Sequence, residues 1–282
     1  MLKKEFYISG GLYDKNKINN ITNTLYHFTY VKYDIPFGKN NILTDALWGC
    51  MIRSYQNMLS MCLKYIYNGD ELLNFIYKEN GILSIQKFVK NLMNSSYEGK
   101  YMGSYFVSSI YKKIVNNENL KFKLYLSNNN IISLEKININ KCGIICFSAK
   151  LGRFYVENKY INSIKECFKI RNFIGLLGGI NKKAYFIYSL DNYDNLIYLD
   201  PHCINYYDKN FIKNKNKLLA KDYNSIKINK INPSIMFCFF FRNKFELHEL
   251  KKTLENHYLF KIVDKEKKIN LTNKEDNGWS II

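Results

Sequence analysis

From Met51 to Leu63 the apolar positions include Met51, Ile52, Tyr55, Met58, Leu59, Cys62 and Leu63. This three-and-four spacing predicts a helix that buries one face, opening at Cys50 behind Trp48-Gly49. Ahead of it, the aromatic-dense run 21–33 ends at the turn signal Ile35-Pro36-Phe37-Gly38. Residues 1–20 read as a leading segment with a Gly10-Gly11 turn and a loop at KNKINN. Helical patterns recur at 71–79, 82–93 and 106–116, separated by Asn68-Gly69-Asp70, Gly81 and a polar, tyrosine-rich loop at 95–105. The second half changes period. Strands are predicted at 122–126, 142–147, 174–177, 184–190 and 195–199, with one helix at 160–169 and a hairpin turn at DNYDN. After a polar excursion at 205–232, the wholly apolar run 234–241 reads as a buried strand, and 245–258 as a charged amphipathic helix. Helices first and an antiparallel sheet after them give an α+β domain spanning 1–282.

Composition narrows the picture. The chain has 282 residues, 47% of them hydrophobic, enough for a sizeable core. Its seven cysteines are odd in number and contain no C-x-x-C pair, which argues against a disulfide framework or a zinc site and for a reducing, cytoplasmic setting. The N-terminus lacks the apolar stretch of a signal peptide, and the longest apolar run, 235–241, is too short to span a bilayer. The net charge is +18, yet the lysines are scattered among Asn, Tyr and Ile instead of forming dense blocks. That pattern points away from nucleic acid and toward a solvated basic surface with weak attraction to anionic membranes.

Two stretches carry candidate chemistry. Cys50 is placed at a helix N-terminus, where unpaired N–H groups and the macrodipole favour a thiolate and can hold an oxyanion. A small buried core thiol would show the same local pattern. At the end of the 195–199 strand, Asp200-Pro201-His202 puts an acid and an imidazole two residues apart, on one face of extended chain. There the carboxylate can orient the ring and stabilise its cation. Of the other histidines, His248 and His257 fall in the charged helix and are expected in solvent, while His27 is expected to be packed. An early cysteine on a helix with a late histidine on a sheet is the papain-like arrangement. The acid preceding the histidine and the lack of a glutamine shortly before the cysteine both depart from papain.

These departures resemble the autophagins, the papain-like cysteine peptidases of the ubiquitin-like autophagy modifier. The resemblance rests on ordered stretches across about 25–245: Phe28-Thr29-Tyr30 with Pro36-Phe37, Trp48-Gly49-Cys50-Met51-Ile52-Arg53, and Gly99–Ile114. It continues through Leu151-Gly152, Ile174–Gly179, Ala184–Ile187, Leu196–His202 and Asn232-Pro233-Ser234. It implies Cys50 as nucleophile, His202 as general base and acid, Asp200 as orienting carboxylate, and Tyr30 with the Cys50 N–H as oxyanion donors. The implied reaction is cleavage after the modifier's C-terminal glycine, in precursor and phosphatidylethanolamine-linked forms, without a cofactor. Trp48, Tyr105 (where the family has a groove tryptophan), Gly178 and Gly179 are expected around the substrate. A covering loop follows Gly179 at 180–183, and about 70–120 forms a small substrate-binding subdomain. The tail at 270–282, with Trp279 and Ile282, has the form of a modifier-interacting motif that adds a strand to a sheet edge. A catalytically silent modifier-binding or membrane-surface protein on the same fold, or a deubiquitinating relative, would carry much of the same pattern.

Overall fold

A computed structural model describes residues 4–127 and 129–265. The chain enters through a hairpin of β1 (Glu5–Ile8) and β2 (Gly11–Asp14). Its turn runs through Ser9 and Gly10, both at positive φ. A Cβ at Gly10 would stand 2.7 Å from the Arg171 nitrogen, so the close approach of that backbone requires glycine. The expected KNKINN loop is instead a helix, α1 (Lys15–Thr22). The Asp14 side chain caps it by accepting from the Lys17 N–H, and Ile18 and Thr22 are buried along it. A good cap and two inward residues outweighed a polar composition.

Next come β3 (Tyr30–Phe37), β4 (Ile42–Thr44), α2 (Cys50–Leu63), α3 (Gly69–Ile76), α4 (Ile85–Lys90) and α5 (Ser104–Asn117). The second half supplies β5 (Phe122–Ser127), β6 (Ile131–Ser133), β7 (Cys142–Lys150), α6 (Asn158–Phe168), β8 (Phe173–Ile180) and β9 (Lys183–Asp191). It closes with β10 (Asn195–Leu199), β11 (Ile204–Tyr206), β12 (Asn224–Lys227), β13 (Ser234–Phe241), α7 (Lys244–Leu254) and β14 (Lys261–Val263). The fold is α+β and papain-like.

Among the described residues the main sheet runs β12-β10-β9-β8-β13-β7-β5, with the β1–β2 hairpin attached to β9. Its pairs are antiparallel except β5–β7, which are parallel. β13 lies at the centre, paired on both sides, and seven of its eight residues are buried. A second, small sheet orders β11-β3-β4, with β11 parallel to β3.

Alternation along the strands divides the core. Leu177, Phe186, Tyr188, Met236 and Phe240 join the cluster built around α2, whereas Leu176, Ile187, Phe237 and Phe239 pack with residues of α6 and α7. α2 is therefore covered on all sides, not on one face: every residue from Cys50 to Leu63 is buried. Leu72, Leu73, Phe88, Val107 and Tyr111 from α3–α5 share its cluster. Several of its polar side chains are bonded to neighbouring elements, as when the Asn57 carboxamide accepts from the Phe28 N–H at 2.6 Å and donates to the Phe28 carbonyl at 3.1 Å, whereas the buried Ser54 hydroxyl has no partner. α7 ends at Leu254, earlier than expected. The chain then turns back so that β14 can pair with β6, and His257 is carried into the core at 7% exposure while His248 stays in solvent.

Candidate active site

The start of α2 is built by an aspartate outside it. The Asp45 carbonyl accepts from the Gly49 N–H at 2.8 Å and the Trp48 N–H at 3.4 Å, closing a tight turn ahead of the helix. A Cβ at Gly49 would stand 2.7 Å from Asp45, so glycine is required at that approach. The Asp45 carboxylate takes the Val31 N–H at 2.7 Å and the Arg53 guanidinium at 2.7 and 3.1 Å. Arg53 also donates to the Tyr33 hydroxyl and the Gln56 carbonyl, both at 3.0 Å. Burial alone would drive the proton from Arg53, but Asp45 and Tyr33 outweigh it and raise its pKa. This buried ion pair, of which only Arg53 falls in a stretch singled out in the sequence, ties β3 to the first turn of α2. An arginine inside an apolar helical pattern was its only signal in the sequence.

Cys50 is 1% exposed at that first turn, where N–H groups have no carbonyl four residues back within the helix. Across from it, β10 ends and Asp200-Pro201-His202 follows. His202 Nδ1 meets Asp200 Oδ1 directly, and the His202 backbone N–H donates to the same oxygen at 3.0 Å. Cys50 lies near enough for its charge to act on the imidazole. Burial opposes charge on His202, but the bond to Asp200 and the negative charges of Asp200 and Cys50 outweigh it and raise its pKa to about 9. Burial likewise pushes Asp200 up, but hydrogen bonds from the His202 side chain and backbone hold it below the ordinary carboxylate value. The imidazole is flanked by two rings, Tyr30 edge-on at 5.4 Å and Tyr185 at 5.5 Å. Burial, then the charge of Cys50, push the pKa of the Tyr30 phenol up, so it stays a donor.

Two supports escaped the sequence reading. The Tyr30 N–H donates to the Pro201 carbonyl at 3.0 Å, and His27 Nε2 lies 2.8 Å from the Asp200 carbonyl. Because a carbonyl can only accept, that nitrogen carries the proton. The packed His27 thus anchors the backbone of the histidine-bearing loop. No local pattern announces a contact between residues so distant in sequence.

The outer positions divide. Trp48 is buried, and its indole N–H is committed to the Thr44 carbonyl at 3.0 Å. Tyr105 sits on the first turn of α5, 43% exposed, whereas Tyr101, four residues earlier, feels the charge of Cys50, as Tyr30 and Tyr185 do, and burial and then that charge push it up to about 12. Gly178 and Gly179 lie within β8, opposite Tyr185 and Ala184 of β9. A Cβ at Gly179 would come within 1.7 Å of the Lys183 carbonyl oxygen. The expected covering loop at 180–183 is a two-residue hairpin instead. Asn181 and Lys182, at φ of 47° and 65°, make the tight turn whose twist matches the strands. Trp279 and Ile282 lie outside the described residues.

An α+β fold that sets a helix-borne cysteine against a histidine and carboxylate in the loop leaving a sheet strand is the arrangement of papain-like cysteine peptidases. The peptidase C54 catalytic domain matches residues 15–253, and the chain belongs to that family. Among its relatives, the probable cysteine protease atg4 of Schizosaccharomyces pombe is 25% identical over 225 residues, covering 76% of this chain and 70% of that protein. Cysteine protease ATG4A of Gallus gallus is 26% identical over 292 residues, covering 80% and 74%. Cysteine protease ATG4A of Homo sapiens is 23% identical over 319 residues, covering 89% and 79%.

Proposed function

We propose that this peptidase cleaves after the C-terminal glycine of the ubiquitin-like autophagy modifier, with Cys50 as nucleophile, His202 as acid and base, Asp200 as its orienting partner and Tyr30 as an oxyanion donor. The observation that carries the reading is the single imidazole that meets the Asp200 carboxylate at Nδ1 and lies near enough to Cys50 to feel its charge. A ring whose pKa is raised to about 9 is cationic at neutral pH, beside a thiol at the positive end of a helix.

The thiolate attacks the glycine carbonyl carbon, and the oxygen that becomes negative is held by the Tyr30 O–H and the Cys50 N–H. The imidazolium then gives its proton to the leaving amine, which is a peptide nitrogen in the precursor or the ethanolamine nitrogen in the lipid-linked form. Water, deprotonated by His202, hydrolyses the thioester and frees the cysteine. Asp200 keeps Nδ1 engaged, so Nε2 is the nitrogen that exchanges the proton. Among the described residues no helix is long and apolar enough to cross a membrane. The lipid-linked substrate is therefore met at a bilayer surface, where a net charge of +18 favours transient contact with anionic lipid. The working compartment in this reading is the cytoplasm.

The modifier from the same organism, tagged beyond its glycine, is incubated with the native protein and with Cys50→Ala, and the products are weighed by mass spectrometry. Cleavage directly after glycine by the native protein alone is expected. Equal binding by both with cleavage by neither overturns catalysis and leaves a modifier-binding protein.

A further inference from the structure

Leu47 stands three residues before Cys50, with a φ of +72° and 92% of its surface exposed. It is the most exposed of the large hydrophobic side chains in the described chain, ahead of Met93 at 82%. Both properties are unfavourable. The left-handed region crowds a Cβ against the following carbonyl, and an exposed leucine forgoes the gain of burial.

The backbone there is fixed from both sides. Ahead of Leu47, the Asp45 carboxylate is bound by Arg53 and the Val31 N–H. Beyond it, the N–H groups of Trp48 and Gly49 return to the Asp45 carbonyl, and the Trp48 indole is bonded to Thr44. Glycine would fill this conformation without strain, and asparagine would tolerate it while suiting water. Leucine does neither. Strain retained beside reacting groups is where a functional contact is sought. The surroundings agree: Ile204, 59% exposed, pairs with Tyr30 in register, and Tyr101, 47% exposed, feels the charge of Cys50.

The geometry points to Leu47 as a substrate-docking residue, whose isobutyl group seats against an apolar patch on the folded body of the modifier, beside its glycine-ending segment. This rests on the reading that the substrate is a ubiquitin-like protein. The rigid turn holds the side chain outward in advance, so little freedom is lost on docking.

The test compares the native enzyme with Leu47→Gly, Leu47→Asn and Leu47→Met on the tagged modifier, alongside iodoacetamide alkylation of Cys50 and thermal unfolding. Leu47→Gly and Leu47→Asn are expected to lower kcat/KM about tenfold, the scale of one lost apolar contact, chiefly through KM. Alkylation should keep its native rate, the melting temperature should not fall, and Leu47→Met should restore most of kcat/KM. Native kcat/KM in Leu47→Gly overturns the proposal, as does a fall in cleavage matched by an equal fall in alkylation, which would mark a distorted site. A native enzyme that leaves the modifier intact, with no binding by Cys50→Ala, overturns the substrate reading and this docking role together. Cleavage that is indifferent to residue 47 overturns the docking role alone.

Discussion

Cys50 meets His202 at the first turn of α2, while Cys167 lies 3.5 Å from His257 Nε2 in the last turn of α6. Burial does not separate these two pairs, since Cys50 is 1% exposed and Cys167 is 0%. Their surroundings do. His202 faces a carboxylate, whereas His257 spends Nε2 on the Ser163 carbonyl at 3.3 Å, accepts from the Leu259 N–H at Nδ1, and stacks on Phe260. Burial lowers the pKa of His257 and raises that of Cys167 well above the ordinary thiol value, so this pair rests neutral. The helix ends also differ in sign: α2 offers Cys50 its N–H groups, and α6 offers Cys167 its carbonyls. A thiol near an imidazole is therefore not yet a site. The carboxylate and the helix end decide.

The contrast can be broken in order of size. Cys50→Ala should abolish cleavage of the tagged modifier, while Cys167→Ala keeps native kcat/KM and loses about 1–2 kcal/mol of stability in urea unfolding. Comparable activity loss in both would erase the distinction. Asp200→Asn should lower kcat about a thousandfold or more, because the ring loses its oriented tautomer, and single-turnover kinetics would read it. Tyr30→Phe should cost about a hundredfold in kcat, the usual loss of one oxyanion donor; a native rate there would return the oxyanion to backbone groups alone.

The smallest effect is in pH and has opposite signs at the two histidines. His202 has a raised folded pKa of about 9, so its contribution to stability is complete below the ordinary histidine value and is lost as pH rises through about 9. Alkylation of Cys50 in place should change its pH profile over the same window, and Asp200→Asn should move that window down. His257 has a lowered folded pKa, so its neutral form supports the fold above the ordinary value of 6.5, and stability is lost as pH falls below it. Urea midpoints measured from pH about 7.5 to 5 should decline less steeply in His257→Gln than in the native protein.

The readable features were local ones. The start of α2 at Cys50, the strand 195–199 feeding Asp200 and His202, and the buried strand 234–241 all follow from spacing and apolar content within a dozen residues. What escaped was set by distant partners. Asp45 and Arg53 are unremarkable as residue types, and their meaning comes from Val31 and Tyr33 on another element. His257 sits in a polar stretch, and only the pairing of β14 with β6 takes it inside. The hairpin at Asn181-Lys182 was hidden because neither residue is glycine, although asparagine tolerates positive φ.

β3 touches every part of the candidate site. Tyr30 presents the phenol, its N–H holds Pro201, Val31 holds Asp45, and Ile204 returns beside Tyr30 just after His202. In folding terms, one strand must receive a segment about 15 residues away and another about 170 away before the Cys50 thiol and the His202 imidazole can meet. Such closures are entropically late, because long loops must shut before their contacts reward them. Activity should consequently be the last property to return on refolding, after helix content and core fluorescence. A chain caught part-folded would carry an idle cysteine, unable to cut its neighbours.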